Sequence, residues 1–156
     1  MFNRKVIIMY KKILVPLDGS RTAQRGLDEA IRLAAHHQAK LRLVHVVDGF
    51  AVTPTLEAGR YVNDIQKSFR ASGARLLKKA EALVRRHGLQ VDTVMFETVG
   101  GRAADSVVAQ AKKWRADIIV IGTHGRRGLS RLVMGSDAEQ IIRSSPVPVL
   151  TVRTTK

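Results

Sequence analysis

Short, nearly continuous apolar runs alternate along the chain with longer segments whose apolar positions recur at helical spacing. Lys12 to Leu17 is the first run, dense enough to be a buried strand, and it ends in Asp18-Gly19-Ser20. From about Thr22 to His37, Ala23, Leu27, Ala30, Ile31 and Ala34 fall on one face of a helix. Leu41, Leu43, Val44, Val46 and Val47 predict a second strand over Leu41 to Val47. Asp48 to Arg60 carries glycine and proline and reads as a loop. A long helix is predicted from about Tyr61 to His87, stopped by Gly88 and weakened internally by Gly73. Val91 to Val99 reads as a third strand, followed by Gly100-Gly101 and a helix from about Ala103 to Trp114. Asp117 to Ile121 is the fourth strand, Ser136 to Arg143 the last helix, and Val147 to Val152 a final strand introduced by Pro146 and Pro148.

This alternation of strand and helix predicts an α/β fold: a single doubly wound five-stranded parallel sheet with right-handed crossovers and helices on both faces. Ligands of such sheets sit at the carboxyl ends of the strands, where the strand order reverses. The loops that begin at Asp18 and Gly122 both leave carboxyl ends. No repeat, low-complexity tract or linker interrupts the pattern, so one domain is expected over 9–156. Met9 precedes the first strand at once, so Met9 is the expected natural start and residues 1–8 are expected to be an N-terminal extension.

Composition narrows the function classes. The chain has 156 residues, and its 45% apolar content is enough for one buried core. It has no cysteine, which excludes disulfides, thiolate catalysis and cysteine-ligated metals, and suits a reducing cytoplasm. No apolar run approaches the ~18 residues of a membrane span. The net charge is +14, and residues 1–8 add only Arg4 and Lys5 to it, so the charge belongs to the body. Such a charge favours anionic partners: nucleic acid, an acidic membrane surface or a phosphorylated ligand. Aromatic residues are only 4%, with no stacking platform and no recognition-helix motif, so specific nucleic-acid reading is not expected.

The densest chemistry lies near the C-terminus. An apolar run ends in Gly122; Gly125 follows, then Gly135-Ser136 at the start of a helical pattern. Glycines let backbone N–H groups approach phosphate oxygens, and a helix N-terminus adds partial positive charge. Ser136 supplies a hydroxyl and could also cap the helix. Equally, Gly122 could simply end a strand, and Gly125 and Gly128 could simply permit a turn. The pattern is neither a P-loop nor GxGxxG. Arg126, Arg127 and Arg131 could pair with phosphates. His124 could donate to a phosphate or act as a base. Asp18 could accept hydrogen bonds from a ribose or adenine, hold magnesium through water, or form a turn before the next helix. No two histidines have the spacing of a zinc site, and no nucleophile, base and orienting acid are placed together.

Gly122, Gly125 and Gly135-Ser136 satisfy every spacing of Gly-x2-Gly-x9-Gly-Ser/Thr, the motif of the nucleotide-binding branch of the universal stress protein family. The opening KKILVPLDGS resembles that family's first strand and acidic turn, and SSPVPVLTVR its last strand; the resemblance spans Met9 to Arg153. It implies strand order 3-2-1-4-5, in a Rossmann-like, adenine nucleotide alpha hydrolase-like arrangement, and an ATP or AMP site. By the resemblance, Asp18 contacts ribose or adenine, Val46 meets adenine through its backbone, and Ile121 lines the pocket. Gly122, Gly125, Gly135 and Ser136 bind phosphates and ribose, with Arg126 and Arg127 beside them. Where the family often has an uncharged residue after Ser136, this chain has Asp137. That carboxylate would repel a triphosphate unless a magnesium ion, Arg126 or Arg127 intervenes. The resemblance also implies a homodimer through the final strand, Val147 to Val152. Pro148 cannot donate a sheet hydrogen bond, which independently suggests an edge strand.

The expected function is therefore an adenine-nucleotide-binding stress-response or regulatory protein, in which nucleotide orders the loop from Gly122 to Gly135 and alters what the dimer presents to partners. Two alternatives stand beside it. One is slow ATP hydrolysis at the same site, for which Asp18 and His124 are the weak candidates for a base. The other is a basic module that binds nucleic acid or acidic proteins through its surface.

Overall fold

A computed structural model describes residues 9–49, 56–123 and 134–153, without the side chains of 56–60. Nine elements alternate in it: β1 (Lys12–Pro16), α1 (Arg21–His37), β2 (Lys40–Gly49), α2 (Leu56–Arg86), β3 (Val91–Val99), α3 (Ala103–Trp114), β4 (Ile118–Gly122), α4 (Ser136–Ser144) and β5 (Val149–Val152). The five strands form one sheet of order β3-β2-β1-β4-β5, and every pairing is parallel. The chain winds outward from β1 through β2 to β3, then crosses back to β4 and β5. The reversal of direction, and with it the crevice expected of such sheets, lies between β1 and β4.

Strand alternation divides the core into two layers. Ile13, Val15, Leu41, Leu43, Ile118 and Val120 point to one face and pack with Leu27, Ala30 and Ile31 of α1 and Leu77, Ala80 and Val84 of α2. Leu14, Val44, Ile119 and Ile121 point to the other, beneath Ala104, Val107 and Ala111 of α3 and Ala138 and Ile141 of α4. Helices thus cover both faces, and the central strands read as continuous apolar runs because both of their sides are buried.

Boundaries differ from the sequence reading in a few places. β2 runs on through Asp48 and Gly49, because those residues pair with Thr98 and Val99 of β3. α2 begins at Leu56, within the stretch that reads as a loop: Leu56, Glu57 and Ala58 are good helix formers, and the turn-like Gly59 does not interrupt them. β5 is shorter than the predicted Val147–Val152; Pro148 stands just before it and offers only its carbonyl, which accepts from Ile119 N at 3.0 Å.

Gly73 does not break α2. It sits where the helix crosses His45 of β2, a buried histidine whose Nδ1–H donates to the Leu17 carbonyl at 2.7 Å. A Cβ on Gly73 would lie 2.5 Å from His45 Cδ2 and 2.8 Å from Nε2. The glycine is the space into which the imidazole fits. An ordinary helical Gly→Ala change stabilises by roughly 0.5–1 kcal/mol. Here the sign should reverse: Gly73→Ala is expected to destabilise the protein by about 1–3 kcal/mol, through overpacking. Urea unfolding of the variant measures this, and a midpoint equal to or above that of the parent would contradict the fit.

Candidate functional site

The carboxyl ends of β1 and β4 are brought together by contact between glycine and helix. Gly122, the last residue of β4, lies against the first turn of α1: a Cβ there would stand 2.4 Å from Thr22 C and 2.8 Å from Ala23 N. On the helix side, a Cβ on Gly26 would meet Gly122 N at 3.2 Å. The glycine that the sequence offers for phosphate approach is therefore demanded first by packing, since no side chain fits between β4 and α1.

Asp18 follows from this placement. Leu17 N donates to Val44 O at 2.7 Å, and Leu17 O accepts from His45, so β2 holds the peptide that carries Asp18 from both sides. Asp18 is half-buried, and its Oδ1 accepts from Ser20 N at 2.9 Å, across Gly19 in a left-handed conformation at φ 82°. Ser20 then caps α1, its hydroxyl accepting from Ala23 N at 3.1 Å. The turn-forming role of Asp18 is thus realised in one oxygen.

Beyond β4, Thr123 is buried; its N–H donates to Val152 O at 3.0 Å, and its carbonyl accepts from Gly135 N at 2.8 Å. This closes the ends of the connecting segment on each other and seats the start of α4 beside the end of β4. Gly135, not Ser136, is the N-cap of α4, and as a glycine it has no side chain with which to cap the helix. Ser136 is the first helical residue and is exposed, so its hydroxyl is not spent on capping as the sequence reading allowed. The first-turn N–H groups of α4 have no intrahelical acceptor, the arrangement that suits an anion. Asp137 and Glu139 stand in that same turn.

The other predicted positions distribute as follows. Val46 is half-buried on the α3/α4 face, opposite Phe96 in register, and Ile121 is buried in the core of that face. Gly125, Arg126 and Arg127, with His124, Gly128 and Arg131, lie outside the described residues. A groove of about 410 Å³ is lined by Arg102, Ser136, Asp137, Glu139, Gln140 and Arg143. It shares Ser136 with the predicted set but reaches none of Asp18, Val46 or Ile121, so it is the outer margin of the α4 N-terminus and not the crevice itself. Sequence reasoning missed His45, noting only that it lies in a strand, and Thr98, whose buried Oγ1 at the carboxyl end of β3 has no partner among the described residues. Their roles depend on neighbours distant in the chain, and no local pattern marks them.

The family model described as the Universal stress protein family matches residues 9–153. The chain belongs to the universal stress protein family. A universal stress protein of Methanocaldococcus jannaschii is 34% identical over 150 residues, covering 95% of this chain and 85% of the relative. A solved structure of a family protein from Burkholderia pseudomallei is 35% identical with a TM-score of 0.73, covering 92% of this chain and 96% of that one. UspA of Lactobacillus plantarum superposes at TM-score 0.81 with 25% identity, covering 92% and 98%. The fold is also shared by a family protein of Arabidopsis thaliana solved with AMP bound, at 20% identity and TM-score 0.66, covering 93% and 92%. An Archaeoglobus fulgidus universal stress protein in complex with dAMP shares it at 23% identity and TM-score 0.65, covering 92% and 98%.

The glycine contact makes a stability prediction that is independent of any ligand. Gly122→Val drives a branched side chain into backbone atoms of α1 and is expected to cost at least about 3 kcal/mol, the upper range for overpacking. Denaturant unfolding without nucleotide measures it; an unchanged midpoint would show that Gly122 is not required by packing.

Proposed function

We propose that this protein binds an adenine nucleotide, ATP or AMP, in the crevice between β1 and β4, and that it serves as a nucleotide-responsive regulatory protein of the stress response rather than a fast enzyme. The observation that carries the reading is the convergence of three features: the half-buried Asp18 carboxylate at the carboxyl end of β1, the close-packed end of β4 at Gly122, and the α4 N-terminus whose cap residue is a glycine. The contacts of Gly122 with α1 and of Thr123 with Gly135 link the three. Asp18 would take a ribose or adenine donor, Val46 the base through its backbone, and Ile121 would underlie the pocket. Gly122, Gly135 and Ser136 would meet phosphate and ribose, joined by Gly125, Arg126 and Arg127. The adenine nucleotides held by the Arabidopsis and Archaeoglobus proteins support the same ligand class here. Magnesium belongs to the ATP form of the reading, where it would screen Asp137 from the phosphates. A regulatory output requires that the nucleotide favour one conformation over another by its differential affinity. The cysteine-free composition supports a cytoplasmic setting, and no helix among the described residues is long and apolar enough to cross a membrane.

Asp18→Asn separates the turn from the ligand. Asparagine keeps the Oδ1 acceptor for Ser20 N but replaces the second oxygen by an amide. Thermal melting separates the binding effect from any loss of stability, expected at about 0.5–3 kcal/mol. Calorimetric affinity for ATP or AMP should fall tenfold or more, equivalent to about 1.4 kcal/mol. Unaltered affinity for both nucleotides in this variant would remove Asp18 from the site.

We further propose a homodimer through β5. The strand is the sheet's edge, and the carbonyls of Pro148 and Val152 turn inward to accept from Ile119 N and Thr123 N at 3.0 Å. Alternation then turns the peptide groups of Val149 and Thr151 to the open edge, where a second copy can pair with them. Thr151→Pro removes an outward N–H and leaves the inward ladder untouched. Light scattering after gel filtration should change from a dimer mass to a monomer mass; a dimer that persists would place the interface elsewhere.

A further inference from the structure

In a parallel sheet covered by returning helices, strand starts and helix ends share one end of the molecule, opposite the carboxyl-end site. Here that end gathers cations. Lys11 precedes β1 and Lys12 opens it, Lys40 and Arg42 open β2, and Lys112, Lys113 and Arg115 close α3. Contacts confirm the clustering. Lys12 Nζ donates to the Trp114 carbonyl at 3.1 Å, Arg42 Cζ lies 4.5 Å from the centroid of the Trp114 ring, and Lys40 N donates to Lys11 O at 2.8 Å.

The nearby carboxylates are already committed. Asp92 pairs with Arg42 at 2.5 Å and Lys40 at 2.8 Å, and the Arg42 hydrogen bond, with Lys40 behind it, holds its carboxyl below the usual carboxylate range. Asp117 accepts from the backbone N–H groups of Lys11 and Lys12 at 2.8 and 2.9 Å. Lys11, Lys112, Lys113 and Arg115 are left exposed, with no ion pair to a described residue. The helix dipole accounts for cations in the last turn of α3, but it gives no reason for Lys11, Lys12 and Lys40 at strand starts.

We propose that this amino-end face binds the phosphate backbone of double-stranded nucleic acid without reading its sequence, at a position remote from the adenine-nucleotide site. The chemistry of the face selects this occupant. Insertion into a lipid surface, and the anchored centre of a protein interface, both require exposed apolar or aromatic side chains. Among the described residues, the exposed Tyr61, Ile65, Phe69 and Val99, of the first half of α2 and the end of β3, lie toward the other end of the molecule; at this end the exposed large apolar side chains are aliphatic and on separate elements, Met9 before β1 and Ile142 in the last turn of α4, against the exposed cations Lys11, Lys112, Lys113 and Arg115. Phosphates require cations alone. Trp114 is half-buried with Arg42 over its ring, so it offers no platform for stacking single-stranded bases.

The test is fluorescence anisotropy of the full chain with a labelled mixed-sequence duplex DNA across a salt series, alongside binding to phosphatidylserine vesicles. Log affinity should fall linearly with log salt at a slope of about −3 to −4, near 0.9 per phosphate neutralised. The triple change Lys112→Gln, Lys113→Gln, Arg115→Gln should weaken binding at least about tenfold and flatten the slope by about 2–3. A control triple of equal charge loss, Arg75→Gln, Lys78→Gln, Lys79→Gln, exposed on α2, should weaken it less than about threefold, the residual effect of long-range charge. Thermal melting verifies that both triples fold. Equal losses in the two triples would reduce the effect to net charge and overturn the face. So would absence of duplex binding at low salt, or vesicle binding that depends on the α3 cations while duplex binding does not.

Discussion

The arrangement turns on the approach of β4 to the first turn of α1. The strand's last residue must be glycine because backbone atoms of Thr22 and Ala23 occupy the space of a side chain, and Gly26 mirrors this on the helix. Interiors packed at this density do not yield to an added carbon without moving backbone. The contact fixes β4 against α1, and Ser20 and Asp18 lead directly into that helix. The Asp18 turn and the end of β4, at the reversal of strand order, are thereby held by the same packing that builds the core.

Other interactions extend the constraint. His45 ties the peptide before Asp18 to β2, and Gly73 opens α2 to admit its ring. Thr123 joins the end of β4 to the edge strand and to the start of α4. Parallel topology then separates two chemistries. Strand carboxyl ends and helix N-termini share one pole, where dipoles favour anions held by backbone; strand starts and helix ends share the other, where the anion-attracting groups are side chains. The net charge of +14 says nothing about location. Topology converts part of it into a face around Trp114.

Much of the fold was legible in the sequence because its signals are local. Val91–Val99 and Ala103–Trp114 run as their periodicity predicts, and the buried strands announce themselves as apolar runs. What was not legible depends on partners far along the chain. Asp48 and Gly49 extend β2 only because Thr98 and Val99 lie beside them. Gly73 looks like a helix weakness until His45 is placed against it. At the candidate site, the glycine spacing pointed to the carboxyl-end pole, but it could not tell a packing glycine from a phosphate glycine. Nor could it show that Gly135 takes the cap position and leaves the Ser136 hydroxyl outside it. Gly125, Arg126 and Arg127 lie outside the described residues.

The most direct test of the central claim is the map of backbone amide shifts in 15N-labelled protein as AMP, and separately ATP, is added. The account predicts saturable shifts at Asp18, Gly19, Val46, Gly122, Gly135 and Ser136, with Lys40 and Lys112 to Arg115 unmoved. Absence of saturable shifts with either nucleotide, or shifts centred on the amino-end face, would contradict it.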